Sequence, residues 1–193
     1  PEAPPPSRLE RLCPQLAFRP PVEMIPGSEG RPAYVVERAG QVLSFDLALS
    51  EGPARRDESI PIPTHVVLDG AKQIEGLRAV YGLAFHPRFA ENRFCYLCYI
   101  VEDGRDDGSR VSRFVLTEDD PPVIDPASEQ ILLTFRSGGH NGGSLKFGHD
   151  GCLYITTGDA APPDPPDGFD TGQNLADLLS SVLRIDVDRT EGE

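Results

Sequence analysis

"FCYLCYIVEDGRDDGSRVSRFVLTEDDPPVIDPASEQILLTF", residues 94–135, is the stretch on which the fold turns. Three apolar runs, 94–102, 109–116 and 129–135, are parted by two segments rich in Asp, Gly and Pro. Pro presets φ and Asp bonds its own turn backbone, while Val, Ile, Tyr and Phe suit a pleated surface. The pattern therefore predicts strand, loop, strand, loop, strand. "YGLAFHP" (81–87) precedes it and completes four consecutive strands.

The same signature extends in both directions. "AYVVERAGQVLSFDLA" (33–48) reads as a hairpin about Ala39 and Gly40, with Val35, Val42 and Phe45 suited to one buried surface. Further strands are expected at 64–69, 144–148, 152–158 and 183–188, and the Asp- and Pro-rich stretches 117–126 and 159–170 read as loops. Only "QNLADLLSS" (173–181) carries helical spacing, with Leu175, Leu178 and Leu179 at i, i+3 and i+4. The chain is thus all-β. Four-stranded sheets repeated radially define a propeller blade, and the strands suffice for about two and a half blades where closed propellers use 4–8. The expected organisation is a Pro-rich lead-in, 1–20, whose Leu16 and Phe18 dock on the first sheet, then a partial propeller over 21–193, within a longer protein.

Charge narrows the partners. With 18 Lys and Arg against 31 Asp and Glu, the formal charge is −13, which repels phosphate backbones and anionic headgroups. Nucleic acid is excluded as a partner class, and no apolar run approaches the length of a transmembrane helix. The four cysteines, Cys13, Cys95, Cys98 and Cys152, are too sparse for a disulfide scaffold and are expected as buried thiols. Cys95 and Cys98 have Cys-x-x-Cys spacing without the His of a c-type haem site. In a strand they face opposite ways.

Chemistry concentrates in "SGGHNGGSLKFGHDGCLYITTGD", Ser137 to Asp159. His140 lies among Gly138, Gly139, Gly142 and Gly143, which would leave room for a flat ligand beside an imidazole. The hairpin turns at His149, Asp150 and Gly151 and returns to Asp159 at the edge from which His140 left. Imidazole titrates near neutrality and takes a proton from an alcohol when a carboxylate holds its tautomer. A base and its orienter is one reading; a glycine bulge capped by His140, with Asp159 capping its own turn, is the other. His86, before Pro87, reads as a turn stabiliser, His149 as an exposed turn residue, and Asp164, Asp167 and Asp170 as solvated loop acids without calcium-loop spacing. No metal site is expected.

"GGHNGGSLKFGHDGCLYITTGD", with "YGLAFHPRFAENRF" before it and "NLADLLSSVLRIDVD" after it, resembles the glucose/sorbosone dehydrogenase family of soluble quinoproteins. The resemblance implies a six-bladed propeller with pyrroloquinoline quinone over its channel and a sugar or polyol substrate. It implies His140 as base, Asp159 as its support, and Asn141 and Gly142 beside the cofactor. Gly139 stands where that family's glucose enzymes carry an acidic residue, and Leu77 and Arg78 where a cofactor-contacting glutamine is usual. The remaining cofactor contacts and any calcium are expected beyond Glu193. "RVSRF" and "DPPVIDPASE" are most similar to the propeller domains of large bacterial membrane-bound or secreted proteins, which implies a cytochrome c electron acceptor and a periplasmic or extracellular location.

Overall fold

The computed structural model describes residues 13–27, 32–50, 61–102 and 104–189; the first twelve residues of the lead-in lie outside them. It contains three antiparallel sheets. The first joins β1 (Pro21–Ile25), β2 (Ala33–Glu37), β3 (Gln41–Phe45) and β4 (Thr64–Asp69) in chain order. The second joins β5 (Ala79–Phe85), β6 (Phe94–Ile100), β7 (Ser109–Leu116) and β8 (Ile124–Phe135) in the same way. The third holds β9 (Gly142–Phe147), β10 (Leu153–Thr157) and β11 (Val182–Ile185). Two four-residue helices, α1 (Gly70–Gln73) and α2 (Phe89–Asn92), and a 3-10 turn at Leu47–Ser50 fill connections.

The sheets stack face to face, as blades do. Cys95, Leu97 and Tyr99 of β6 pack with Val36, Val42 and Leu68 of the first sheet. Tyr96 and Cys98, on the opposite face of that strand, pack with Leu145, Leu153 and Ile155 of the third. A strand buried on both sides reads as a continuous apolar run instead of an alternating one, which explains "FCYLCYI". Both thiols are free, and burial pushes each up to about 12. β1, β5 and β9 are the first strands of their sheets and meet one another. Glu23 of β1 accepts from Leu83 N at 3.0 Å and pairs with Lys146 of β9.

The structure departs from sequence expectation in four places. Val42 lies on the opposite face of its strand from Phe45 and joins a different core, as residues three apart must. β8 starts at Ile124, inside the expected loop, because Ile124 fills the core at 1% exposure. β1 was not anticipated, since Pro21 opens it and only its Glu23 and Ile25 are partly buried. Residues 173–181 form turns and no helix. There Asn174 and Asp177 accept from Ala176 N and Leu179 N at 2.9 and 2.8 Å, and such local side-chain bonds compete with helical ones. Leu175 is fully exposed, so no apolar face rewarded the helix. Leu16 and Phe18 do dock against Val35 and Phe45 of the first sheet.

His86 links the second and third sheets. It is 3% exposed, and its Nδ1 accepts from Arg88 N at 3.0 Å and faces Asn92 Nδ2 at 2.8 Å. The ring proton therefore sits on Nε2, which lies 3.3 Å from Asp188 Oδ1 without forming a well-directed hydrogen bond. Arg88 holds the same carboxylate at 2.9 Å. Burial lowers the His86 pKa from 6.5, with Asp188 opposing and Arg88 and Arg113 assisting. A lowered folded value means that stability is fully present above the unfolded value and is lost as pH falls through the folded one. The urea midpoint is therefore expected to fall between pH 7.5 and pH 5, and His86→Gln to flatten that dependence; an unchanged slope in the variant would assign it elsewhere.

Candidate active site

Two short stretches build the site. Residues 137–141 lead into β9 and residues 158–162 leave β10, its antiparallel neighbour. Backbone bonds lace them beyond the sheet: Gly139 N to Ala160 O and His140 N to Ala161 O at 3.2 Å, Gly158 N to Asn141 O at 3.1 Å, and Ala160 N to His140 O at 2.9 Å. This spacing is what the glycines permit. A Cβ on Gly138 would lie 1.8 Å from Ala160 O, on Gly139 2.2 Å from Ala161 O, and on Gly158 2.1 Å from His140 O. The glycines therefore do not clear room for a ligand, as the sequence suggested; they let two backbones touch.

That contact fixes the pair. His140 Nδ1 lies 3.0 Å from Asp159 Oδ1. The same carboxylate accepts from Ala161 N at 2.9 Å and Asp167 N at 3.0 Å. Burial pushes its pKa upward, but the bonds from Ala161, His140 and Asp167 prevail and hold it below the ordinary carboxylate value. An ionised carboxylate only accepts, so Nδ1 carries a proton, and in the neutral imidazole Nε2 keeps its lone pair. His140 is 48% exposed while Asp159 is 14% exposed. The arrangement presents one acceptor nitrogen to solvent and buries its anchor.

Asp167, read from sequence as a solvated acid, organises the loop behind Asp159. It accepts from Thr171 N and Gly172 N at 2.8 Å and from Thr171 Oγ1 at 2.7 Å. The signal available in sequence was an Asp four residues ahead of Thr-Gly. Asn141 is turned inward at 8% exposure, and its amide closes on Gly138, accepting from N at 2.8 Å and donating to O at 2.6 Å. Gly142 has φ +69° and no room for a side chain against Thr156 O and Gly158 N. His149 is exposed in its turn. Leu77 packs beneath Gly40, and Arg78 is exposed with its N bonded to Ile100 O at 2.7 Å.

Arg38 follows β2 and Tyr81 lies on β5. Val80 N donates to Arg38 O at 3.0 Å, and Tyr81 lies against Gly143. The exposed Arg38 guanidinium stands 5.9 Å over the Tyr81 ring. Among the described residues no three of His, Cys, Asp or Glu converge to hold a metal ion. Nor is any described helix long and apolar enough to cross a membrane.

Three stacked, blade-like antiparallel sheets define part of a β-propeller. The chain belongs to the glucose/sorbosone dehydrogenase family, whose sequence profile matches residues 20–192. It is similar to Hedgehog-interacting protein of Mus musculus, with 28% identity over 180 residues covering 89% of this chain and 25% of that protein. HIPL2 protein of Arabidopsis thaliana is 31% identical over 174 residues, covering 70% and 24%. Among solved structures, the PQQ-bound aldose sugar dehydrogenase of Streptomyces coelicolor superposes with a TM-score of 0.69 at 18% identity, covering 92% of this chain and 47% of that one. The apo soluble aldose sugar dehydrogenase of Escherichia coli gives 0.59 at 21%, covering 87% and 44%. The chain thus spans about a quarter of these curated relatives and less than half of these solved chains.

Proposed function

We propose that this chain is part of a quinone-dependent sugar or polyol dehydrogenase in which His140 is the general base and Asp159 its orienter. The observation that carries the reading is the 3.0 Å contact from His140 Nδ1 to a carboxylate already held by two backbone donors. Nε2 receives the hydroxyl proton of the substrate, and Asp159 stabilises the imidazolium that results. Pyrroloquinoline quinone would supply the acceptor for the hydride of the carbon bearing that hydroxyl, so that alcohol becomes carbonyl. The exposed Arg38 would offer a cation to a carboxylate of the cofactor. Asn141 and Gly142 would act through main chain, since the Asn141 amide is engaged with Gly138. A cytochrome c acceptor and a periplasmic or extracellular location belong to the same reading.

A second reading is favoured by the similarity to Hedgehog-interacting protein, whose name records a protein interaction, and by Gly139, Leu77 and Arg78 at positions where the quinone enzymes differ. It is a propeller that binds carbohydrate or a protein partner without redox chemistry. Titrating pyrroloquinoline quinone into the full-length protein separates the two. The dehydrogenase reading expects saturable binding at micromolar quinone and dye reduction with aldoses. A folded protein that binds none supports the second reading.

A further inference from the structure

β10 and β11 are antiparallel neighbours, and strands so paired are ordinarily joined by about 2–5 residues. Residues 158–181 lie between them instead, and connections of that length are commonly tied to function. The loop is clasped at its base, where Thr157 N donates to Ser181 O at 2.9 Å, Ser181 N to Thr157 Oγ1 at 3.0 Å and Ser180 N to Gly158 O at 2.9 Å. Four of its non-glycine residues have left-handed backbone: Ala160 (φ +54°), Asp167 (+50°), Asp170 (+55°) and Ser180 (+50°). Among the other described residues only Cys13 and Arg93 do. Such strain persists where surrounding bonds over-determine it.

Here those bonds run in one direction, toward the imidazole. Donors on Thr171 and Gly172 hold the Asp167 carboxyl below its ordinary range, so it is ionised and only accepts. The hydroxyl proton of Thr171 therefore points to Asp167 Oδ1, at 2.7 Å, and Ser180 Oγ, 2.7 Å from Thr171 Oγ1, donates to Thr171. Asp167 N then donates to Asp159 Oδ2 at 3.0 Å, while Ala161 N and His140 Nδ1 sit on Oδ1 at 2.9 and 3.0 Å. A carboxylate bonded on both oxygens cannot turn about its Cβ–Cγ bond without losing one of them. Thr171 itself is 3% exposed, and a hydroxyl so buried is tolerated only when paired.

We propose that Thr171 is a positioning residue for His140. Its hydroxyl fixes the Asp167 side chain, which keeps Asp167 N on Asp159 Oδ2. Asp159 Oδ1 then stays on Nδ1 and holds the proton of the neutral imidazole there. The inference rests on the dehydrogenase reading for its effect on turnover, and on the hydrogen bonds alone for its effect on the ring.

The test compares Thr171→Val, which keeps the branched shape and removes the hydroxyl, with Thr171→Ser, which keeps the hydroxyl. In the full-length, quinone-loaded protein Thr171→Val is expected to lower kcat for an aldose about tenfold. That is less than the roughly 10²-fold that a misplacement of about 1 Å costs, because Ala161 N still holds Oδ1. KM should stay within about twofold, and Thr171→Ser should restore kcat. In the same protein without quinone, the nitrogen shifts of the neutral His140 ring should show one tautomer in the parent and in Thr171→Ser, and a mixture in Thr171→Val. A single tautomer in Thr171→Val overturns the proposal. So does a Thr171→Ser protein as impaired as Thr171→Val, which would assign the effect to packing. Should Thr171→Val fail to fold, Asp167→Asn takes its place. Asn tolerates the left-handed backbone but offers one acceptor oxygen to Thr171 N, Thr171 Oγ1 and Gly172 N, and a single tautomer there overturns the proposal equally. A tautomer mixture in a protein without quinone-dependent turnover keeps the role of Thr171 and removes the dehydrogenase reading. Turnover with an unchanged ring in Thr171→Val does the reverse.

Discussion

Replacing His140 by Ala is expected to lower kcat/KM of the quinone-loaded full-length protein for an aldose by about 10²–10⁴-fold, the range a positioned base supplies. On the proposed reading quinone affinity should change far less, because the imidazole would act on the substrate proton. Asp159→Asn is the sharper variant. Both Asp159 oxygens accept backbone bonds, from Ala161 N and Asp167 N, and Oδ1 also faces His140. An amide has one acceptor atom and one donor atom, so it drops a loop anchor in either orientation: Asp167 N with its nitrogen at the Oδ2 position, or Ala161 N with it at the Oδ1 position, where it also turns N–H toward Nδ1. In the second case the imidazole proton moves to Nε2 and the base is gone. Steady-state dye reduction at saturating quinone reads the loss. Retention of more than a tenth of parent activity in His140→Ala would assign the proton transfer to another group.

Gly138→Ala is expected to give the largest loss of stability of any conservative change in the site. Its Cβ would stand 1.8 Å from Ala160 O and 2.6 Å from Ala160 C, both backbone atoms that no rotamer change can move. The loops must separate, and the bonds from Gly139 N and His140 N break with them. Overpacking of this kind costs roughly 1–3 kcal/mol and at times more. The urea midpoint should drop, and the nitrogen shifts of His140 should lose the signature of a ring held by Asp159. Gly151→Ala serves as the comparison. Gly151 has φ +77° with nothing within 4 Å of its Cβ position, so only backbone strain is felt. A midpoint for Gly138→Ala no lower than for Gly151→Ala would refute the close-packing account.

Most strands were readable because short apolar runs between Pro, Gly and Asp leave few alternatives. β4 and β7 fall at 64–69 and 109–116, the bounds their sequences suggest. Their neighbours extend or shrink by a few residues where pairing decides. The false helix at 173–181 shows the limit of periodicity. Of three leucines at helical spacing only Leu179 is buried while Leu175 is fully exposed, and Asn174 and Asp177 diverted the backbone into turns.

The sequence by itself determined that this protein is all-β, blade-like and strongly acidic, and that His140 and Asp159 leave the same edge of one hairpin. Those properties follow from local chemistry: turn residues, strand formers and a register set by a tight turn. Tertiary structure decided which atoms of that edge meet. It placed Asp167 behind Asp159, folded the Asn141 amide onto Gly138, and gave the glycines the task of bringing two backbones together. It also brought Phe169 over to Arg136, across 33 residues of chain. Contacts between loops depend on how sheets stack and where each connection returns, and no spacing along the chain encodes that distance.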